Sequence, residues 1–599
     1  MQNKIKDSSL IHILIIIVIG YFLFFLKLGS QDFDYAEARE GQVVLEMHKT
    51  GNVILPLRAG TIIPSKPPFF HWLGLIVSRA TGSVNEFSIR FPSALFGTLC
   101  LIVTYFIGKE SFNKRAGFLS SLFLATTTSY LKLSREARVD MTLCFFIVLS
   151  ILFFILGYKN ETRRNLYFVL YFVSSAFATL AKGPVGIVLP SIISLIFLII
   201  RKELKMILRK EILIGILIFT VISFSWYVLA IQKGGKEFFQ KQIIKENINR
   251  FAGGEGGYGH VHPFYFLLPR SLSFTLPWSI FLPLVICNIY LKVLRKKQKQ
   301  IFSETEELKG SVNDGKGEFL HKNSFFLIWF LSVLIFFSIS ASKRTAYLLP
   351  LIPAGTILIA VFWDDFLSWE GEKWLKKVVK VFFFFLTIAT ILASLTIIIA
   401  IILYCFNITI PSLLQGQLET RKLRQISFYF SIFYKDINFD LIFSGFSLLW
   451  AIYTLWLIKK KGLLKTLYSL IAFILIVTNV ICLKYHPVMW GDLFVKDFAI
   501  EINQFLRKND KLYFYNLKEN MDLKHNIYNG IIFYTSRHIE DLTYEDISKL
   551  KQDELPVYLI AQKKYVNPLI KKGFKIIPVK ESKLIDFQYR IFLLKLTET

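Results

Sequence analysis

Runs of apolar residues too long for a soluble core constrain this chain more than any other feature. Segments such as "VVKVFFFFLTIATILASLTIIIAIILY" and "LYSLIAFILIVTNVICL" are long enough to cross a hydrocarbon layer of about 30 Å as helices. Within lipid a single helix satisfies its own backbone, whereas a strand must belong to a closed barrel. Read along the 599 residues, these segments give about thirteen spans. They lie near 10–27, 91–108, 116–131, 140–157, 165–181, 184–200, 211–231, 272–291, 324–341, 346–363, 379–405, 441–458 and 465–483. The expectation is a polytopic α-helical membrane protein. The first run continues into "KLGSQDFDY" without a small-residue cleavage site, so it reads as a retained helix rather than a signal peptide.

Charge orients these spans. A formal net charge of +28 invites a nucleic-acid reading. The basic clusters "GKESFNKR", "GYKNETRRN", "RKELKMILRKE", "LKVLRKKQKQ" and "KKKGLLK", however, all fall on one side when spans are counted from an inside N-terminus. That is the positive-inside pattern, and it accounts for the charge without nucleic acid. The five cysteines sit within or beside apolar runs with no CxxC spacing, so buried thiols are expected. Residues 292–323 are polar and read as a mobile cytoplasmic linker.

From residue 484 the texture changes. Strand-like pieces "KLYFYN", "GIIFYT" and "PVYLIA" alternate with helix-like "VKDFAIEINQFLRK" and "YEDISKLKQ". The expected organisation is a transmembrane domain over 1–483 and a small soluble α/β domain over 484–599. An odd span count puts the latter outside.

The outer side carries long loops at 28–90 and 232–271, together with short charged turns: "SREARVD", "AKGP" and "SASKRTAY". These bring Asp32, Asp34, Glu37, Arg39, Lys66, Arg135, Arg138, Asp140, Lys182, Arg250, His260, His262, Lys343 and Arg344 to one face. Snorkelling explains any one such cation. It explains poorly a collection of them on the side where few are expected, and charged residues at membrane depth mark function by default. An anionic ligand follows, and phosphate suits the Arg fork and the Lys point charge. Glycosyl transfer would use these parts: a carboxylate to activate or orient an acceptor and cations to neutralise a departing phosphate. A lipid-linked sugar transporter or flippase is the alternative, but it calls for charge through the midplane and for repeat symmetry. "GGEGGYG" at 253–259 follows no strand and reads as a flexible lid. His260 and His262 lack a third ligand, so a divalent metal is an open alternative rather than a requirement.

The ordered set "EAREGQVVLEMHKTGNVILP", "IPSKPPFFHWL", "EFSIRFPSAL", "REARVDMTL", "LAKGPVGIVLP", "NRFAGG…HPFYFLLPRSLSFTLPW" and "SKRTAYLLPLIP" resembles the bacterial branch of the protein O-mannosyltransferase-like glycosyltransferases, which includes aminoarabinose transferases acting on lipid A. The resemblance covers about 30–360; beyond it only the layout matches. It implies a GT-C fold, a polyprenyl (undecaprenyl) phosphate sugar as donor, inversion at the sugar, and no required cofactor. The acceptor would be lipid A, a glycan or a protein, at the periplasmic face of a bacterial inner membrane. By the same resemblance Lys66 in "SKPP" faces the donor phosphate, although Ser65 stands where the family has Glu, and Phe69, Phe70 and Trp72 seat the loop in the interface. Lys182, Lys343, Arg344 and Tyr347 resemble further donor-phosphate contacts. Arg138, Arg250, His262 and Tyr265 fall where the family binds substrate. Glu37, then Asp34, is the expected acceptor-facing carboxylate, with a capping or salt-bridging role with Arg39 as the competing account. Asp140 is expected to organise the pocket with Arg138 or Lys182.

Overall fold

The computed structural model describes residues 2–253, 261–290, 315–368, 373–406, 436–460, 462–485, 496–507, 509–515, 528–549, 556–562, 570, 575–582 and 591–597. Each expected apolar segment is mostly helical over its described residues. Among the described residues, seven helices are long and apolar enough to span a membrane, or eight if the pair Phe264–Phe274 and Trp278–Tyr290, bent by 103°, forms one span. Shorter apolar helices cover Ser9–Phe25, Val185–Ile200 and Asn323–Ile339. The chain is thus an integral membrane protein. The segment expected at 116–131 is instead two helices, broken at Thr126–Thr127, because both hydroxyls turn back onto helix carbonyls.

Helices are labelled in chain order as α1 (Gln2–Gly20), α2 (Tyr35–Thr50), α3 (Phe69–Thr81), α4 (Glu86–Ser111), α5 (Lys114–Ala125), α6 (Thr128–Arg135), α7 (Val139–Lys159), α8 (Arg164–Lys182), α9 (Val185–Ile200) and α10 (Lys210–Phe238). Local chemistry sets the ends of those that build the outer face. An Asp34/Glu37 capping box opens α2 and left-handed Gly51 closes it. Asn85 and Ser88 form the equivalent box at α4. The fixed ring of Pro68 precedes α3.

Compactness divides the chain into two units, Phe362–Trp490 and the remainder. The smaller contains Lys373–Cys405, Ile437–Lys459 and Leu463–Val480. Near one end of it, Lys484 is 2.7 Å from buried Asp440. In the larger unit, the C-terminal residues form a five-stranded sheet of order β2-β1-β3-β5-β4, from β1 (Leu512–Tyr515), β2 (Glu540–Leu542), β3 (Val557–Gln562), β4 (Lys575–Glu581) and β5 (Ile591–Thr597). The β2-β1-β3 half is parallel, with Phe514 opposite Ile560, and β3-β5-β4 is antiparallel.

"GIIFYT", expected as a strand, lies in the helix Tyr528–Thr535. Short apolar runs do not distinguish a buried strand from a buried helix. Here one side of the helix fills the sheet's core through Ile531 and Ile532 while Phe533 enters a cluster with Phe33, Val44, Met47, Phe70 and Ile89. Only a helix presents residues to both sides in that way. Gln42 of α2 donates to the Asn529 carbonyl at 2.8 Å, and Phe33 meets Phe533 edge-on at 4.9 Å.

Other expectations shift as well. Cys100 and Cys144 are buried, but Cys287 and Cys482 are half-buried and Cys405 is exposed at a helix end. Residues 315–323 of the expected linker begin the helix Gly315–Ile339, while 292–314, most of the 253–259 Gly-rich stretch and His260 lie outside the described residues.

Candidate functional site

The site is assembled where α2, the loop before α3, the start of α7, the end of α8, the segment after α10 and the turn at 343–347 converge. Asp34 caps α2, its Oδ1 accepting from the Glu37 N–H at 2.7 Å. Its Oδ2 stands 3.9 Å from Arg138, and the side chain is 39% exposed. Partial desolvation by the surrounding protein, reinforced by the charge of Glu37, raises the Asp34 pKa.

Glu37 is different. Its Oε1 accepts from Arg90 Nε and from the Ala137 N–H, both at 2.7 Å; its Oε2 accepts from Arg90 Nη2 at 2.8 Å and the Asp34 N–H at 3.0 Å. Arg90 spends its other donors on the carbonyls of Leu28, Gln31 and Asp32. Burial alone would raise the Glu37 pKa, but Arg90 and these hydrogen bonds hold it below the usual carboxylate range. The basic partner is therefore Arg90, not Arg39. Arg39 instead reaches Glu40 at 2.7 Å, and Glu40 also meets buried His71 at 2.8 Å.

The "SKPP" loop places Lys66 Nζ 3.2 Å from Glu246 Oε2, and Arg250 Nη1 lies 3.0 Å from the same oxygen. Glu246 belongs to a π-helical segment, Phe239–Asn249, continuing from α10. That segment is tied to the loop by Gln242, which donates to the Pro64 carbonyl at 2.6 Å. Burial pushes the Lys66 pKa down to about 8; Glu246 opposes this, and Arg250, Lys182 and Arg39 add to it. Phe69 and Phe70 turn inward rather than seating the loop in the interface: Phe70 is buried and Phe69 packs on Phe146 and Phe177. The Phe69 ring fills the space between α3, α7 and α8, and Phe70 packs with Val44, Met47 and Ile89. Trp72 donates to the Val53 carbonyl at 2.7 Å.

Lys182, at the end of α8, pairs with Asp140 in the first turn of α7 and lies 4.4 Å above the Tyr347 ring. Gly183 follows with φ 96°, and a Cβ there would come within 2.9 Å of Asn247 Oδ1. The glycine in "AKGP" thus serves both a turn that other residues resist and a close approach to the Glu246 segment. Arg138 Nε stands 2.9 Å from Glu136, whose pKa burial pushes up to about 7. Lys343 is buried and donates to the Ser340 carbonyl at 2.6 Å. Burial lowers the pKa of Arg344, with Arg250, Arg39 and Arg138 contributing.

The structure therefore gathers Asp34, Arg138, Asp140, Lys182, Lys66, Arg250, Arg344 and Tyr347. Glu37 lies beside them with its oxygens engaged, and Lys343 is tied to its own turn. His262 lies flat on Phe266 with ring centroids 3.7 Å apart, and Tyr265 is 67% exposed; these side chains engage Phe266 and solvent rather than the cations. Among the described residues, no three His, Cys, Asp or Glu side chains converge as a metal site. Sequence reasoning passed over Arg90 and Glu246. A lone arginine inside the apolar run of α4 was a usable signal; a glutamate within "KENINR" was not.

Comparison with known proteins follows this geometry. The family model described as dolichyl-phosphate-mannose-protein mannosyltransferase matches residues 65–228. An uncharacterized protein of Aquifex aeolicus is 32% identical over 359 residues, 60% of this chain and 73% of that one. Undecaprenyl phosphate-alpha-4-amino-4-deoxy-L-arabinose arabinosyl transferase 1 of Pseudomonas fluorescens is 26% identical over 335 residues, 55% of this chain and 54% of its own length. The chain thus spans about half of that relative. The crystal structure of ArnT from Cupriavidus metallidurans bound to undecaprenyl phosphate superposes with a TM-score of 0.73 at 17% identity, covering 98% of each chain. At that identity the likeness shows the fold.

Proposed function

We propose, from the premise that this chain belongs to the GT-C family of polyprenyl-phosphate-sugar glycosyltransferases, that it moves one sugar from an undecaprenyl-phosphate donor to an acceptor at the outer face of the inner membrane. The observation that carries the reading is the convergence of Lys66, Lys182, Arg250 and Arg344 beside the solvent-reaching carboxylate of Asp34.

The chemistry follows from those positions. An acceptor oxygen attacks the anomeric carbon as the bond from that carbon to the phosphate oxygen breaks, inverting the sugar. The bonding electrons leave with the lipid phosphate, and Lys66 and Arg250, supported by Lys182 and Arg344, neutralise the charge that develops there. Asp34 takes the proton of an acceptor hydroxyl, or orients an acceptor phosphate. A raised pKa makes it a better base than an ordinary surface aspartate. Glu37, which sequence alone favoured for this role, already accepts four hydrogen bonds; it holds Asp34 through the shared capping box. Asp140 sets the position of Lys182. The acceptor is lipid A, another glycan or a protein.

The test is transfer in proteoliposomes from radiolabelled undecaprenyl-phosphate sugars to envelope extract. Wild type is expected to label an acceptor while Lys66→Ala and Asp34→Asn do not. Donor crossing the bilayer equally in all three, with no transfer, replaces this reading with a transporter.

A further inference from the structure

We propose that Glu246 is a built-in substitute for the donor phosphate: its carboxylate occupies the anion position between Lys66 and Arg250 until the donor displaces it. The inference rests on the donor site proposed above and adds to it an internal competitor. Both cations converge on a single oxygen, Oε2, at 3.2 and 3.0 Å. This is the arrangement expected when one acceptor atom takes the place of a larger anion. A carboxylate laid across the pair as a bidentate partner would instead spread over two oxygens.

Charge supports the exchange. The triad holds two cations and one carboxylate, with Arg344 nearby, while Lys182 and Arg39 are each paired with a carboxylate of their own, Asp140 and Glu40. The donor's phosphodiester carries one negative charge, as Glu246 does, so it takes the place of the carboxylate without changing the charge of the triad; the lipid phosphate released on transfer carries up to two. The Glu246 side chain is only 4% exposed, so in the absence of donor its carboxylate offsets positive charge held largely out of solvent.

The backbone permits departure. Glu246 sits in a π-helical segment of 11 residues, a rare geometry found mostly at functional sites. The helix leading into it breaks at Gly235 (φ 54°, ψ −145°), and the short helix Arg250–Ala252 that follows it ends at left-handed Gly253. A carboxylate on such a segment can swing aside by a side-chain rotation or a local change of winding while Gln242 stays on Pro64. The same competition works in reverse after transfer. Return of Glu246 to Lys66 and Arg250 helps expel the lipid phosphate product.

The measurement is the affinity of detergent-purified wild type, Glu246→Gln, Glu246→Asp and Lys66→Ala for undecaprenyl phosphate. Removing the internal competitor is expected to tighten binding about tenfold in Glu246→Gln, with a lower KM and a lower kcat from slowed product release. Glu246→Asp, which keeps the charge on a shorter arm, is expected to lie between it and wild type, and serves as the readout if the amide variant does not fold. Unchanged or weaker binding in both Glu246 variants, with binding lost in Lys66→Ala, overturns the substitution while leaving the donor site intact. Wild-type binding by Lys66→Ala overturns the donor site itself and the inference with it.

Discussion

Glu37 and Glu246 are both buried glutamates within reach of arginine, yet their surroundings assign them opposite kinds of work. Glu37 has donors on both oxygens, and Arg90 spends its remaining donors on three carbonyls. Nothing in that pair is left for a ligand, and breaking it would strand a charge. Glu246 meets two cations through one oxygen, in a group with more positive than negative charge. Saturation marks structure, and a charge imbalance marks a place for something else. Charge type and burial alone would not have separated the two.

The largest effect should come from breaking the saturated pair. Arg90→Ala leaves Glu37 buried and uncompensated, at a cost of about 3–5 kcal/mol, and is expected to lower the unfolding temperature of the detergent-solubilised protein or abolish its expression. Lys66→Ala should leave that temperature near wild type. Equal losses of stability in the two variants would erase the distinction.

The converse holds for turnover. Lys66→Ala and Arg250→Ala are each expected to lower transfer by about 10²–10³-fold, as removal of one charge-stabilising donor does, with the folded fraction unchanged. Within α2 the contrast sharpens further. Asp34→Asn should reduce kcat by about 10²-fold or more, whereas Glu37→Gln should act mainly on the yield of folded protein. A Glu37→Gln enzyme that folds normally but does not turn over would return the catalytic role to Glu37.

A smaller, graded effect is expected with pH. Burial brings Lys66 from 10.5 down to about 8, so the cation proposed to hold the donor phosphate is lost as pH rises through about 8. Donor binding should weaken above that point, and Lys66→Arg should extend it to higher pH. Stability runs the other way. Between about 8 and 10.5 the unfolded chain binds the proton and the folded chain does not, so the penalty for burying this charge is relieved as pH rises. A donor affinity flat from pH 7 to 10 would remove Lys66 from the phosphate.

The smallest effect concerns the C-terminal sheet. The Tyr534 hydroxyl accepts from the Phe33 N–H at 2.8 Å, directly before Asp34, and donates to Glu86 at 3.0 Å. Lys496 joins the same carboxylate at 2.5 Å. Tyr534→Phe removes about 1 kcal/mol of hydrogen bonding and should lower kcat a few-fold, with thermal stability nearly unchanged.

Much of this molecule was legible as a string. Long apolar runs leave little choice about membrane helices, because unpaired backbone in lipid is too costly. The placement of basic residues gave them an expected orientation, and the clustered cations with "SKPP" led to the proposal of an anion-binding face. Gly51, Pro68 and the Asp34/Glu37 box acted through neighbours in sequence, so their local effects could be anticipated. What depended on distant partners could not. Arg90 and Glu37 are 53 positions apart, Lys66 and Glu246 180, and Phe33 and Tyr534 501. "GIIFYT" became a helix because apolar surfaces waited on both of its sides. Sequence by itself determined the solvent each segment must occupy, since transfer free energy depends on composition over a short window. Only the tertiary structure decided which charges are satisfied, because hydrogen bonds and ion pairs act over a few ångströms and the chain alone does not say who will stand that close.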